Sequence, residues 1–202
     1  MRSISRGGSF QPAPYRTVPY IITAQRINGC GYRYWISQGS PNGDFWGHEF
    51  SKHGTCYSTF DLPCYGPQYK KHEEVIDFFE TAVMYYQTLP THRWLAEAAI
   101  QPCNTTTVSL REVQVALTRG FGALPYVGCS GPRFNATAAG QGSKDDGLTV
   151  LSEVWYYHHV RGRVQSGRSV PVDASINGGS VSNCATTRGA VHYYERTPGS
   201  EV

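Results

Sequence analysis

His48, Glu49, Lys52 and His53 place two imidazoles, a carboxylate and an ammonium in one short run of sequence. If that run is helical, each residue advances about 100° round the axis, so the pairs Glu49/His53 and His48/Lys52, each four apart, occupy neighbouring parts of one face. A carboxylate beside an imidazole favours its protonated form and a nearby lysine opposes it, so His53 is placed to exchange protons. Metal-assisted hydrolysis would need different spacing. The zinc-protease signature is H-E-x-x-H, whereas here the run is H-E-x-x-x-H, and five residues turn a helix by about 500°, which leaves the two histidines about 140° apart. Neither a metal nor any other cofactor is expected.

Taken one at a time, these residues have plainer accounts. Lys52 alone reads as surface, Glu49 as a helix-face charge, Phe45 with Trp46 as core, and an isolated histidine as packed or solvated. The whole string shifts the balance: Phe45-Trp-Gly-His-Glu-Phe-Ser-Lys-His-Gly-Thr-Cys56 resembles the second active-site segment of the ribonuclease T2 family at nearly every position. Phe50 is a mild departure from the tryptophan often found there. Tyr34-Trp35 upstream, Cys64 at the spacing of fungal members, and Leu151-Ser-Glu-Val-Trp-Tyr-Tyr157, similar to a late core strand of that family, extend the resemblance over about 34 to 190.

The resemblance implies an α+β fold with a central antiparallel sheet packed with helices. It implies a metal-independent endoribonuclease acting on single-stranded RNA, in which the ribose 2′-OH attacks the adjacent phosphorus to give a 2′,3′-cyclic phosphate. Carried over by position, His53 is one proton carrier, the base. Glu49 and Lys52 stabilise charge on the phosphorane, and His48 binds or orients the phosphate. Phe45 is similar to a base-stacking residue, and Ile36, Ser37 and Gln38 resemble the lining of a downstream base subsite. A monomer with an acidic optimum, in an extracellular or vacuolar setting, is the family expectation.

One departure lies upstream. The family's first active-site segment reads His-Gly-Leu-Trp-Pro, nothing between Met1 and Tyr34 matches it, and no histidine precedes His48. The second proton carrier is therefore expected to be missing, with a loss of roughly 3–5 kcal/mol of transition-state stabilisation and a weakened or inactive enzyme. The alternative is a catalytically dead relative that keeps an RNA-binding or interaction surface. His72, His92, His158, His159 and His192 are the other histidines and read as surface or strand residues.

The six cysteines, at 30, 56, 64, 103, 129 and 184, form no C-x-x-C pair and suggest disulfides rather than a zinc site. By resemblance, Cys129 pairs with Cys184 and Cys56 with an upstream cysteine, for which Cys30 is the candidate. Cys64 then lacks its family partner, and a Cys64 to Cys103 bond is a guess among many connectivities. Two N-glycosylation sequons, Asn104-Thr-Thr106 and Asn135-Ala-Thr137, would be exposed in a secreted protein. Arg2 and Arg6 are followed by Gly7-Gly-Ser-Phe-Gln-Pro-Ala-Pro14 instead of an apolar run, so no signal peptide is visible. No stretch approaches the roughly 18 apolar residues of a membrane span.

Several elements must position these groups. A helix beginning near Asn42-Gly43, capped by Asp44 and ended by Gly54, would carry the reactive string. Pro67 to Leu89 reads as a helix burying Val75, Phe78, Phe79, Ala82, Val83 and Tyr86, stopped by Pro90. A shorter helix spans Thr91 to Ala99. The capping-box pattern Ser109-Leu-Arg-Glu112 starts another that buries Val113, Ala116 and Leu117. Strands follow at Pro125 to Cys129, Leu148 to Val160 and Val170 to Val172, with a hint of one at Val18 to Ile22. Helices first and strands later make an α+β domain over 34–202, preceded by an atypical segment at 1–33. With 202 residues, 40% hydrophobic and 16% charged, the chain can bury one substantial core, and a net charge of +3 is too weak for a duplex-binding footprint.

Overall fold

A computed structural model of the chain describes residues 35–37, 39–56, 58–130, 148–174 and 181–196. The expected strand at Val18 to Ile22, and Cys30, Gln38 and Asn135, lie outside them. Two units, 1–83 and 84–202, account for the chain and are described separately.

In the first unit, helix α1 (Asn42–Lys52) carries the reactive string. Its N-cap is Pro41 rather than Asp44, which falls in the first turn where a carboxylate suits the positive end of the helix dipole. Asn42 does not cap the helix either, because its Oδ1 accepts from Ser37 N–H at 2.9 Å and fixes the approach of the preceding chain. His53 is the C-cap, and a 3-10 turn over Gly54–Cys56 follows.

Helix α2 (Glu73–Gln87) packs Val75 and Phe79 with Trp46 into a small buried cluster, edged by Trp35, Phe45, Phe50 and Phe78. The helix starts six residues later than its apolar period suggests. A 3-10 turn occupies Gly66–Gln68, and His72 holds a left-handed φ of 69° that no helix can run through. Local hydrogen bonds maintain that bend: the Tyr69 hydroxyl donates to buried Glu74 at 2.7 Å and accepts from His72 N–H at 2.9 Å, while Lys70 N–H donates to Glu73. Tyr86, expected inside, is 55% exposed.

In the second unit, helix α3 (Thr91–Glu97) meets helix α4 (Leu110–Phe121) through Leu95, which joins Val113, Leu117 and Val127 in the main core. Trp94 lies directly over Gly120, where any β-carbon would collide with the indole. The capping box on α4 is formed: Ser109 N–H donates to Glu112 at 2.8 Å, and bonding to Ser109 holds the Glu112 carboxyl below its ordinary range. Gly122, at φ 92°, ends the helix in the left-handed region.

The α+β expectation holds, and the sheet is mixed, antiparallel except for one pairing. Strands β1 (Thr107–Val108), β2 (Tyr126–Ser130), β3 (Thr149–Trp155) and β6 (Val191–His192) stand in the order β1-β6-β3-β2, and β3 runs parallel to β6. β2 and β3 pair antiparallel with a bulge at Gly128/Cys129. Strands β4 (Tyr157–Val160) and β5 (Ser169–Val172) make a separate antiparallel hairpin. Cys129 and Cys184 are joined by a disulfide across 55 residues. Asn183 reinforces it by accepting from Cys129 N–H at 2.6 Å and donating to Cys129 C=O at 3.0 Å.

Candidate active site

Helix α1 projects Glu49, Lys52 and His53 from its last turn and a half. The i, i+4 pair meets as its spacing demands, with His53 Nε2 4.0 Å from Glu49 Oε2. The imidazole is 54% exposed and the carboxylate 21%, so the pair stands at the edge of the helix face with its base open to a ligand and its acid partly shielded. His48 and Lys52 are exposed. Lys52 also sits where the negative end of the helix dipole favours a cation.

The backbone beneath these groups is tied down. Carbonyls left unpaired at a helix C-terminus need partners, and here side chains supply two: Thr55 Oγ1 donates to Ser51 C=O at 2.8 Å and Cys56 Sγ to Lys52 C=O at 3.1 Å, while Ser51 Oγ donates to His48 C=O at 3.0 Å within the last turn. Two turns back along the same face, Trp46 is buried and its indole N–H donates to Trp35 C=O at 2.7 Å. The resemblance did not reveal these supports, because a conserved-looking string does not say which of its members hold the others.

The Cys56 thiol donates to the Lys52 carbonyl at the helix end, and Cys30, its expected disulfide partner, lies outside the described residues. Cys103 is a thiol within 3.3 Å of Thr105 Oγ1. Hydrogen bonds from Thr105 and then Thr106 bring the Cys103 thiol down to about 7.

The residues expected to line base subsites are less uniform. Phe45 is half-buried and packs on the Trp46/Val75/Phe79 cluster, leaving part of the ring available. Ile36 is half-buried. Ser37 uses its hydroxyl locally, accepting from Ser40 N–H at 3.0 Å and bonding the Ser40 hydroxyl at 2.8 Å, so it shapes the turn into α1. Gln38 lies outside the described residues. Among the remaining histidines, His158 is wedged against Tyr85 and Phe121, and His192 stacks on Tyr194. Desolvation lowers the pKa of His158. The Asn104 sequon side chain is exposed but bonded to Glu195 at 3.0 Å.

The Ribonuclease T2 family profile matches residues 29–168, and the chain belongs to that family. Ribonuclease T2-like 1-A of Candida albicans is 34% identical over 155 residues, covering 77% of this chain and 34% of that protein. Ribonuclease Trv of Hypocrea rufa is 36% identical over 173 residues, covering 84% and 65%. The chain therefore spans about a third of the first relative and just under two thirds of the second. Among solved structures, the T2 ribonuclease Actibind aligns with a TM-score of 0.64 at 29% identity, covering 82% of this chain and 61% of that one. Human RNase T2 aligns at 0.54 with 18% identity, a likeness of fold alone.

Proposed function

We propose that this chain is a T2-type endoribonuclease that cleaves single-stranded RNA by transesterification, and that its catalytic groups lie on α1. The observation that carries this reading is the exposed His53 imidazole paired at 4.0 Å with Glu49, beside Lys52. His53 takes the 2′-OH proton as the oxygen attacks phosphorus, worth roughly 10²- to 10⁴-fold in rate. Lys52, as a compact point charge, and Glu49 act on the equatorial oxygens of the phosphorane, where charge develops. His48 orients the phosphate. Phe45 stacks on a base, a contact available in single strands because every base has a π-face, and Ile36, Ser37 and Gln38 border the next base. The protein acts as a monomer. The Cys129–Cys184 disulfide suits an extracellular or vacuolar compartment.

A second reading is an RNA-binding relative without turnover. One experiment separates the two. The purified chain is incubated with single-stranded RNA in EDTA at mildly acidic pH, beside the His53→Ala protein. Cyclic phosphate ends that vanish in the variant support the enzyme, with a further group supplying the second proton transfer. Binding without cleavage in either protein supports the second reading, and cleavage unchanged by the substitution removes His53 from the mechanism.

A further inference from the structure

The hairpin β4/β5 is one-sided in charge. Between Glu153 and Asp173 the sequence has no acidic residue, yet it carries Arg161, Arg163 and Arg168 together with His158 and His159. All three arginines are exposed.

Strand alternation sorts the hairpin into two faces. His158 points inward, at 5.2 Å from Tyr85 and 5.1 Å from Phe121 between ring centroids, and anchors the hairpin. The opposite face presents His159 across from Val170, which is 59% exposed. One step further, Arg161 N–H donates to Arg168 C=O at 2.8 Å, so these two residues face each other across the ladder and share the outward face. Like charges placed directly opposite are destabilising in an antiparallel pair. The repulsion is relieved when an anion lies between them.

The tip does not leave this arrangement to chance. Gly162 (φ 81°) and Gly167 (φ 65°) make the bends, and Ser166 N–H and its hydroxyl both donate to Arg163 C=O. Arg163 therefore issues from a hydrogen-bonded turn beside the opposed pair. Three planar guanidinium groups on a fixed frame match phosphate oxygens, which they bind bidentately. An exposed valine and histidine beside them offer apolar contact to a base or sugar.

We infer that the outward face of the β4/β5 hairpin, through Arg161, Arg163 and Arg168, binds the phosphodiester backbone of single-stranded RNA as a contact separate from the groups on α1. This rests on the proposed action on RNA and goes beyond it, because it assigns the strand a second protein surface.

The test measures binding of a fluorescently labelled, 2′-O-methylated 20-nucleotide RNA between 50 and 200 mM NaCl. The methyl groups prevent cleavage. Compared are the native chain, Arg161→Gln/Arg163→Gln/Arg168→Gln, and a control of equal net charge, Arg93→Gln/Arg111→Gln/Arg119→Gln. At a slope of about 0.7 per neutralised phosphate for single strands, the hairpin variant should lose about 2 from its log–log salt slope, so the native protein weakens about 20-fold more over that range. The control should keep the native slope. A lysine version of the hairpin variant retains charge and should keep the slope with weaker binding, which guards against a folding artefact. Equal slopes for native and hairpin-variant proteins overturn the hairpin assignment alone, while the cyclic-phosphate assay still judges the active site. A native protein that neither binds nor cleaves RNA overturns both. Binding to phosphatidylserine vesicles in preference to RNA overturns the choice of partner.

Discussion

Gly54 follows His53, and replacing it with alanine tests whether the reactive end of α1 is positioned by packing. A β-carbon at 54 would lie 2.6 Å from Cδ2 and 2.8 Å from Cε2 of Phe50, and 3.2 Å from Cδ2 of Phe78. Carbon atoms settle at about 3.5–4.0 Å, so the Phe50 ring must retreat by roughly 0.8 Å. It has little room, because it already meets Phe78 edge to face at 5.7 Å between centroids. Two effects oppose each other. Gly→Ala in an ordinary backbone conformation stabilises by about 0.4–1 kcal/mol through the unfolded chain, whereas overpacking costs about 1–3 kcal/mol. The clash should win by about 1–2 kcal/mol, which in a chain of this size lowers Tm by roughly 3–6 °C. The assay is a double-mutant cycle by thermal and denaturant unfolding. In a Phe50→Ala background the clashing ring is gone, so Gly54→Ala should cost almost nothing and the two changes should couple by about 1–2 kcal/mol. In the native background cleavage should also fall, since a shift near 1 Å in a catalytic group can cost about 10²-fold. Equal destabilisation by Gly54→Ala in both backgrounds, or none in either, would refute the packing account.

Two other outcomes follow from the second unit. Replacing Cys129 and Cys184 by serine opens a loop of 55 residues and should cost about 4 kcal/mol by chain entropy, read as a lower denaturant midpoint that excess reductant reproduces in the native protein. Burial lowers the His158 pKa, so the unfolded chain takes up the proton first as pH falls. The stability His158 allows is complete above its unfolded value of about 6.5 and is lost as pH drops through the lowered folded one; His158→Phe should flatten that part of the stability–pH curve, and an unchanged curve would place the acid sensitivity elsewhere.

Helix α4 was legible because every local signal agrees: Ser109 and Glu112 at the start, one apolar face, and Gly122 at the end. The start of α2 was not. The apolar period continues toward Pro67, but the bonds among Tyr69, His72 and Glu74 depend on side-chain geometry that no period encodes. Strands β1 and β6, two residues each, are too short to alternate, and the parallel β3/β6 pairing joins segments far apart in sequence. At the candidate site, the residue string named the groups proposed to react, while their supports were hidden. Nothing local announces that Trp46 bonds to Trp35, or that the Cys56 thiol donates to the helix end.

Positions 46, 49 and 53 follow the helical i, i+3, i+7 rhythm, which ordinarily marks one buried stripe. Here the stripe climbs out of the core: Trp46 is 6% exposed, the Glu49 side chain 21% and the His53 side chain 54%. The face that anchors the helix at Trp46 is therefore the face that delivers His53 to solvent. Rotating the helix about its axis would drag Trp46 from the cluster it shares with Val75 and Phe79 and turn His53 with it. Glu49 sits midway, shielded enough to be held and close enough to meet the imidazole. Such coupling gives the imidazole an orientation set by core packing, with freedom left only in its own side-chain torsions, and pre-organisation of that kind is what a proton carrier at a reacting phosphate requires.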